Sequence, residues 1–217
     1  EAVRTSGVSK VVFSSTGGAL MGNTPPPVDE SCVPAPISPY GASKLCCEGY
    51  LNAYSEAYGI DALVFRFGNV YGPYSAHKKG AITNFIKAAM LGKDITIYGD
   101  GNATRDFIFV DDLCDGLIAG LNAELTGCNT FHLASGIGTT ISALAELVIS
   151  LMPETDTNIR FKDGRAGEVL HNFADYAKAN RVLDFTPKVG LSAGLSETIQ
   201  WFSALSLREL TQRTSDS

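Results

Sequence analysis

Apolar positions along the chain follow two rhythms. Short continuous apolar runs, the mark of parallel strands covered on both faces, occur at Val11-Val12-Phe13, at Ala62-Leu63-Val64-Phe65-Arg66-Phe67 and at Phe131-His132-Leu133-Ala134. Ile95-Thr96-Ile97-Tyr98 predicts a further short strand, followed by a tight turn at Asp100-Gly101. Between these runs the spacing turns helical. Residues 1–9 read as the end of a helix stopped by Gly7, residues 40–58 as one long helix stopped by Gly59, and residues 80–91 as a helix ending at Gly92. Asp111 or Asp112 is expected to cap a helix running through Leu121, and Thr139 or Thr140 one over residues 140–151. Residues 175–183 and 195–207 read as closing helices, with Trp201 and Phe202 packing inward and a frayed polar tail after Arg208. Residues 22–39 hold six of the nine prolines and no periodicity, which predicts a loop. Strands alternating with helices make this an α/β chain.

Composition narrows the partners. With 217 residues and 45% hydrophobic content the chain can bury a sizeable core in one or two domains. A formal net charge of -6 with no long basic run argues against nucleic acid or an anionic membrane surface as the main partner. No apolar run approaches the ~20 residues of a membrane span. Cys32, Cys46, Cys47, Cys114 and Cys128 form neither a Cys-x-x-Cys pair nor a His–Cys ligand cluster, so no metal site is predicted. Scattered thiols and the want of a basic-then-apolar leader suit a cytoplasmic protein. His132, inside an apolar run, reads as a satisfied core histidine.

Candidate chemistry centres on Ser38-Pro39-Tyr40-Gly41-Ala42-Ser43-Lys44. Tyr40 and Lys44, four residues apart, leave one helical face a turn apart. A phenol is a poor base at neutral pH, and a neighbouring ammonium favours phenolate, which turns a tyrosine into a usable proton acceptor. Alone, the pair is more often an ordinary amphipathic helix with a half-buried Tyr and a snorkelling Lys. Two neighbours shift the balance. Upstream, Lys10-Val11-Val12-Phe13-Ser14-Ser15-Thr16-Gly17-Gly18 is a strand ending in hydroxyls and a glycine turn, and downstream the second strand runs into Arg66-Phe67-Gly68-Asn69-Val70-Tyr71-Gly72-Pro73. In that order, from about Val11 to Phe202, the motifs resemble the extended short-chain dehydrogenase/reductase superfamily, and within it the nucleotide-sugar epimerases of the UDP-glucose 4-epimerase type.

The resemblance implies the C-terminal part of a Rossmann-like, doubly wound parallel sheet plus a small α+β substrate domain. Residues 1–75, with a return near 105–135, would be the remaining part of an NAD-binding domain, and 76–217 mainly a nucleotide-sugar region. It implies NAD as cofactor, with Tyr40 as base, Lys44 holding the Tyr and the nicotinamide ribose, and Thr16 aligning the sugar oxygen. Ser14, Ser15, Tyr40, Lys44 and Phe67 would meet the cofactor, and Thr16, Asn69, Arg105 and Arg165 a UDP-sugar. Arg105 could instead pair with Asp106. Leu170-His171 departs from the basic residues of many relatives. Gly17 and Gly18 stand where a dehydratase needs acidic residues, which disfavours dehydration and leaves a decarboxylase or reductase open. The superfamily also suggests a homodimer through the Tyr/Lys helix, with Leu45, Leu51 and Tyr54 facing the core and Cys46, Cys47 and Tyr50 a partner helix. The chain opens on Glu1-Ala2-Val3-Arg4, and Gly136-Ile137-Gly138 lacks the third glycine of a phosphate loop. By resemblance about the first hundred residues of a parent protein are missing. The expectation is a fragment, inactive in isolation, and its competitor is a nucleotide-sugar-binding remnant without catalysis.

Overall fold

The computed structural model describes residues 1–164 and 169–211. Its strands are β1 (Lys10–Thr16), β2 (Asp61–Phe67), β3 (Asn69–Tyr71), β4 (Ile95–Tyr98), β5 (Thr104–Phe109), β6 (Cys128–Leu133), β7 (Gly138–Thr140) and β8 (Ile159–Lys162). Its helices are α1 (Ala2–Thr5), α2 (Gly18–Met21), α3 (Pro39–Tyr58), α4 (Ala81–Met90), α5 (Val110–Asn122), α6 (Ile141–Ser150), α7 (Ala177–Leu183), α8 (Leu191–Ser203) and α9 (Leu207–Thr211). β1, β2 and β6 form a parallel sheet in that order, β5 lies between β3 and β7, and β4 pairs with β8. The three continuous apolar runs are therefore the three strands of one parallel sheet.

Helices cover both faces of that sheet. On one face Leu63, Phe65, Phe131 and Leu133 share a core with Leu113 of α5 and with Ala179, Leu183 and Phe185 at α7. Gly116 and Gly120 make the fit possible, since a Cβ on Gly120 would overlap the Phe65 ring. On the other face lies α3. Ser38 caps it by accepting from the Gly41 N–H at 3.1 Å, Pro39 occupies its first turn, and Gly59 ends it at φ 65. Leu45, Leu51 and Tyr54 are half-buried, Cys46, Cys47 and Tyr50 exposed, as their helical spacing predicts. A second core joins Phe85, Ile86, Ile95, Ile97, Phe107, Leu144, Val148, Leu195 and Phe202, with Trp201 packed against it.

Several local expectations need correction. Asp112 does not cap α5; it is buried and accepts the backbone N–H groups of Lys188 and Val189 at 3.0 and 2.9 Å, tying the α7–α8 connection down. α8 begins four residues earlier than expected because Gly194 is a packing glycine inside it, where a Cβ would overlap the Tyr71 hydroxyl. α2 is a single buried turn between β1 and the proline-rich loop, with Leu20 and Met21 fully enclosed. β5 escaped the periodicity because its first half, Thr104-Arg105-Asp106, is polar.

Candidate active site

The carboxyl ends of β1 and β2 open onto a cavity of about 690 Å³ lined by Ser15, Thr16, Tyr40, Phe67, Asn69 and Arg105 among others. Ligands of open α/β sheets bind outside the carboxyl ends of the strands. Five elements, β1, β2, β3, β5 and α3, deliver these groups. β1 ends in Thr16, and the Gly17 N–H closes onto the Phe67 carbonyl at 3.0 Å, which locks the ends of β1 and β2 together. The first turn of α3 supplies Tyr40, 56% exposed at the cavity rim. A Cβ on Gly41 would overlap the Ala19 carbonyl, so the glycine lets α3 press directly on α2 beside Thr16.

Lys44 sits behind this rim. Its ammonium donates to the Ser14 carbonyl at 2.8 Å and lies 5.7 Å from the centre of the Tyr40 ring and 4.9 Å from that of Phe13. The structure thus brings Tyr40, Lys44, Ser14 and Thr16 together where α3 meets the end of β1. The Ser15 hydroxyl points into the sheet–helix interface and donates to Glu48 at 2.5 Å. Arg66, paired in register with Ser15, donates through Nε and Nη2 to the two Glu48 oxygens at 3.2 and 2.7 Å.

Cationic and polar groups line the same cavity. Arg105 lines it, its Nη1 donating to the Thr104 and Leu170 carbonyls at 2.9 and 3.3 Å. Asp106 is turned into the core, where its carboxylate accepts from Ser135 N and Oγ, Gly136 N and Ala174 N. Burial pushes its pKa up against those bonds. Asn69 is held by its amide donating to the Asp106 carbonyl at 3.1 Å. Arg165 lies outside the described residues.

Sequence reasoning missed Lys78, Lys79 and Asn172. Lys78 lines the cavity and donates to the Val70 carbonyl at 3.2 Å, and burial lowers its pKa. Asn172 is 5% exposed, lines the cavity beside Gly18, and its amide nitrogen makes no hydrogen bond among the described residues. A buried, unsatisfied donor at a cavity wall suits a polar ligand. The adjacent lysines before Gly80 were the signal for the first two; Asn172 offers none, because only tertiary contact brings it to Gly18. His132 is buried as expected, but its ring nitrogens make no hydrogen bond among the described residues, so it is not satisfied.

Comparison with known proteins bears on the family and the fold. Residues 1–131 match the model of the NAD dependent epimerase/dehydratase family. A curated UDP-glucose 4-epimerase of Mycolicibacterium smegmatis is 34% identical over 206 residues, covering 93% of this chain and 65% of its own length. The crystal structure of a Thermotoga maritima UDP-glucose 4-epimerase with UDP-glucose superposes with a TM-score of 0.88 at 34% identity, covering 93% of this chain and 65% of that one. A Bacillus cereus UDP-glucuronic acid 4-epimerase, crystallised with UDP-glucuronic acid and NAD, gives 0.86 at 28% identity, covering 93% and 64%. The chain thus spans a little under two thirds of the length of these relatives. On its motifs, its fold and these matches, the chain belongs to the NAD dependent epimerase/dehydratase family.

Proposed function

We propose that the protein carrying this chain is an NAD-dependent nucleotide-sugar 4-epimerase, with a UDP-hexose of the glucose/galactose type as substrate. The observation that carries the reading is that Tyr40, with the Lys44 ammonium beside its ring, lines one cavity together with Thr16 and Arg105. In this reading the Tyr40 oxygen takes the proton of the sugar 4-hydroxyl and later returns it. The Thr16 hydroxyl aligns that sugar oxygen. Lys44, tethered to the Ser14 carbonyl, keeps a positive charge beside the Tyr40 ring. Arg105, whose guanidinium fork suits phosphate oxygens, and Lys78 face the diphosphate, with Asn69 and Asn172 as neutral partners.

The residues present fit the nicotinamide-ribose end of NAD: a lysine and a tyrosine on one helical face, beside Ser14 and Phe67 at the ends of parallel strands. When bound there, NAD would supply the acceptor and donor of the sugar C4 hydride. Epimerases of both UDP-glucose and UDP-glucuronic acid are among the structural neighbours. UDP-glucose is the first substrate to test, and Arg165 a second diphosphate contact. Two copies would pair through the outward face of α3, where Cys46, Cys47 and Tyr50 are exposed.

Tyr40→Phe in the full-length protein tests the assignment. The ring and its packing remain, so UDP-sugar affinity by calorimetry should stay within about threefold while turnover drops by ~10²–10⁴-fold. Retention of more than a few per cent of the wild-type rate refutes Tyr40 as the proton acceptor.

A further inference from the structure

A buried charge pair stands directly behind the cavity, and neither the proposed chemistry nor the apolar core uses it. Glu48 is 8% exposed and Arg66 6%. The two Glu48 oxygens receive Arg66 Nε and Nη2, and one of them also receives the Ser15 hydroxyl at 2.5 Å. Three elements meet there. Ser15 and Arg66 are opposite each other in the β1–β2 register, so both side chains leave the sheet toward α3. Glu48 comes from α3, one turn beyond Lys44.

Stability alone does not call for this arrangement. Desolvating two charges offsets most of their attraction, and apolar side chains of similar volume replace such pairs at little cost. The pair also leaves Arg66 Nη1 without a hydrogen bond among the described residues. What it supplies is direction. The buried residues of α3 are Gly41, Glu48 and Ser55, so no large apolar side chain on this helix is buried deeply enough to key it into the sheet. Apolar contact tolerates a helix that slides or rotates, whereas a forked guanidinium and a hydroxyl on one carboxylate accept a single setting.

We infer that Glu48, clamped by Arg66 and Ser15, is a positioning residue that fixes the rotation and axial setting of α3, and through it the placement of Tyr40 and Lys44 against Thr16 and Ser14. Its catalytic consequence rests on the proposed epimerase reading; the setting of the helix does not.

Two variants of the full-length protein test this. Glu48→Leu/Arg66→Met replaces the pair by apolar groups, and Glu48→Gln keeps the shape and one acceptor. The double variant is expected to stay folded by circular dichroism and to keep the KM for UDP-glucose within about threefold. Its kcat should fall about 100-fold, as a misplacement on the order of 1 Å can cause. Glu48→Gln should lose only about tenfold, a partial rescue at unchanged KM. Full kcat in a folded double variant overturns the inference. If the double variant does not fold, full kcat in Glu48→Gln overturns it instead. Hydrogen exchange reads the helix without any turnover: amides of residues 41–48 should exchange at least about tenfold faster in the double variant than in wild type, with residues 52–58 little changed. In Glu48→Gln the same amides should quicken to a lesser degree, and unchanged exchange in whichever variant folds overturns the setting role. A wild-type protein with no UDP-glucose turnover in NAD would sink the epimerase reading, while exchange would still decide for or against the clamp.

Discussion

Tyr40 and Tyr71 both line the cavity, and their surroundings differ. Tyr71 is 3% exposed, packed edge-on against Phe109 with ring centres 5.5 Å apart, and burial drives its pKa well up. It is a wall. Tyr40 is open to the cavity with an ammonium beside its ring, the setting the proposed proton transfer needs. His132 gives a prediction at the same scale. Burial first, and Arg66 second, lower its pKa from 6.5 to about 4, against opposing contributions from Asp29 and Asp175. As pH falls the unfolded chain takes up this proton before the folded one does. The stability contribution is therefore complete above an unfolded pKa of about 6.5 and is lost as pH falls toward 4, roughly 3 kcal/mol in all. Urea unfolding of wild type and His132→Gln should diverge between pH 6.5 and 4, with the wild type losing midpoint faster. Parallel curves would show that His132 is not the group being titrated. The Tyr40–Lys44 relation was legible in the sequence because four residues on a helix fix it locally. The bonds of Glu48 to Ser15 and Arg66 span 33 and 18 residues, and only strand register and helix packing bring them together.

Among the elements, α3 decides where the chemistry sits, and Gly41 decides how closely it approaches. A methyl there would overlap the Ala19 carbonyl and lie 2.9 Å from Pro36 Cβ, whereas one on Gly49 of the same helix meets nothing within 4 Å. Gly49→Ala is expected to stabilise by roughly 0.5–1 kcal/mol through helix propensity. Gly41→Ala should instead destabilise by about 1–3 kcal/mol through overpacking, and should slow turnover by lifting the first turn of α3 off α2. Thermal unfolding of the two variants side by side checks this, and equal stabilisation would refute the close contact. α3 was readable from Tyr40 to the terminal glycine, while its serine cap and first-turn proline were read as loop. β2 was equally legible, because burial on both faces forces a continuous apolar run, whereas the less buried β1 showed only its apolar centre and β6 only its apolar end. α2 was not legible, since one turn has no periodicity to show. The start of α8 was misjudged because a glycine that admits the Tyr71 hydroxyl looks, in sequence, like one that breaks a helix.

At the scale of the whole molecule, the edge of the parallel sheet governs how these 217 residues behave alone. β1 pairs with β2 along one side, and among the described residues no strand pairs along its other side. Val12 is 37% exposed on that strand and Ser14 is exposed. An open apolar edge presents unpaired backbone donors and acceptors that invite another strand. The same 217 residues contain no Gly-x-Gly-x-x-Gly turn to place a pyrophosphate on a helix N-terminus. The isolated chain should therefore self-associate, bind NAD weakly and show no conversion of UDP-galactose to UDP-glucose, while the Arg105 cavity still takes up UDP. Sedimentation should find dimers or larger species for the chain as it stands. Val12→Lys, which puts a charge on the exposed edge strand, should shift them toward monomer without weakening UDP binding measured by calorimetry. A monomeric wild-type chain that epimerises UDP-galactose with added NAD would contradict both parts, because a guarded β1 edge and a complete cofactor site would then have to lie within these residues.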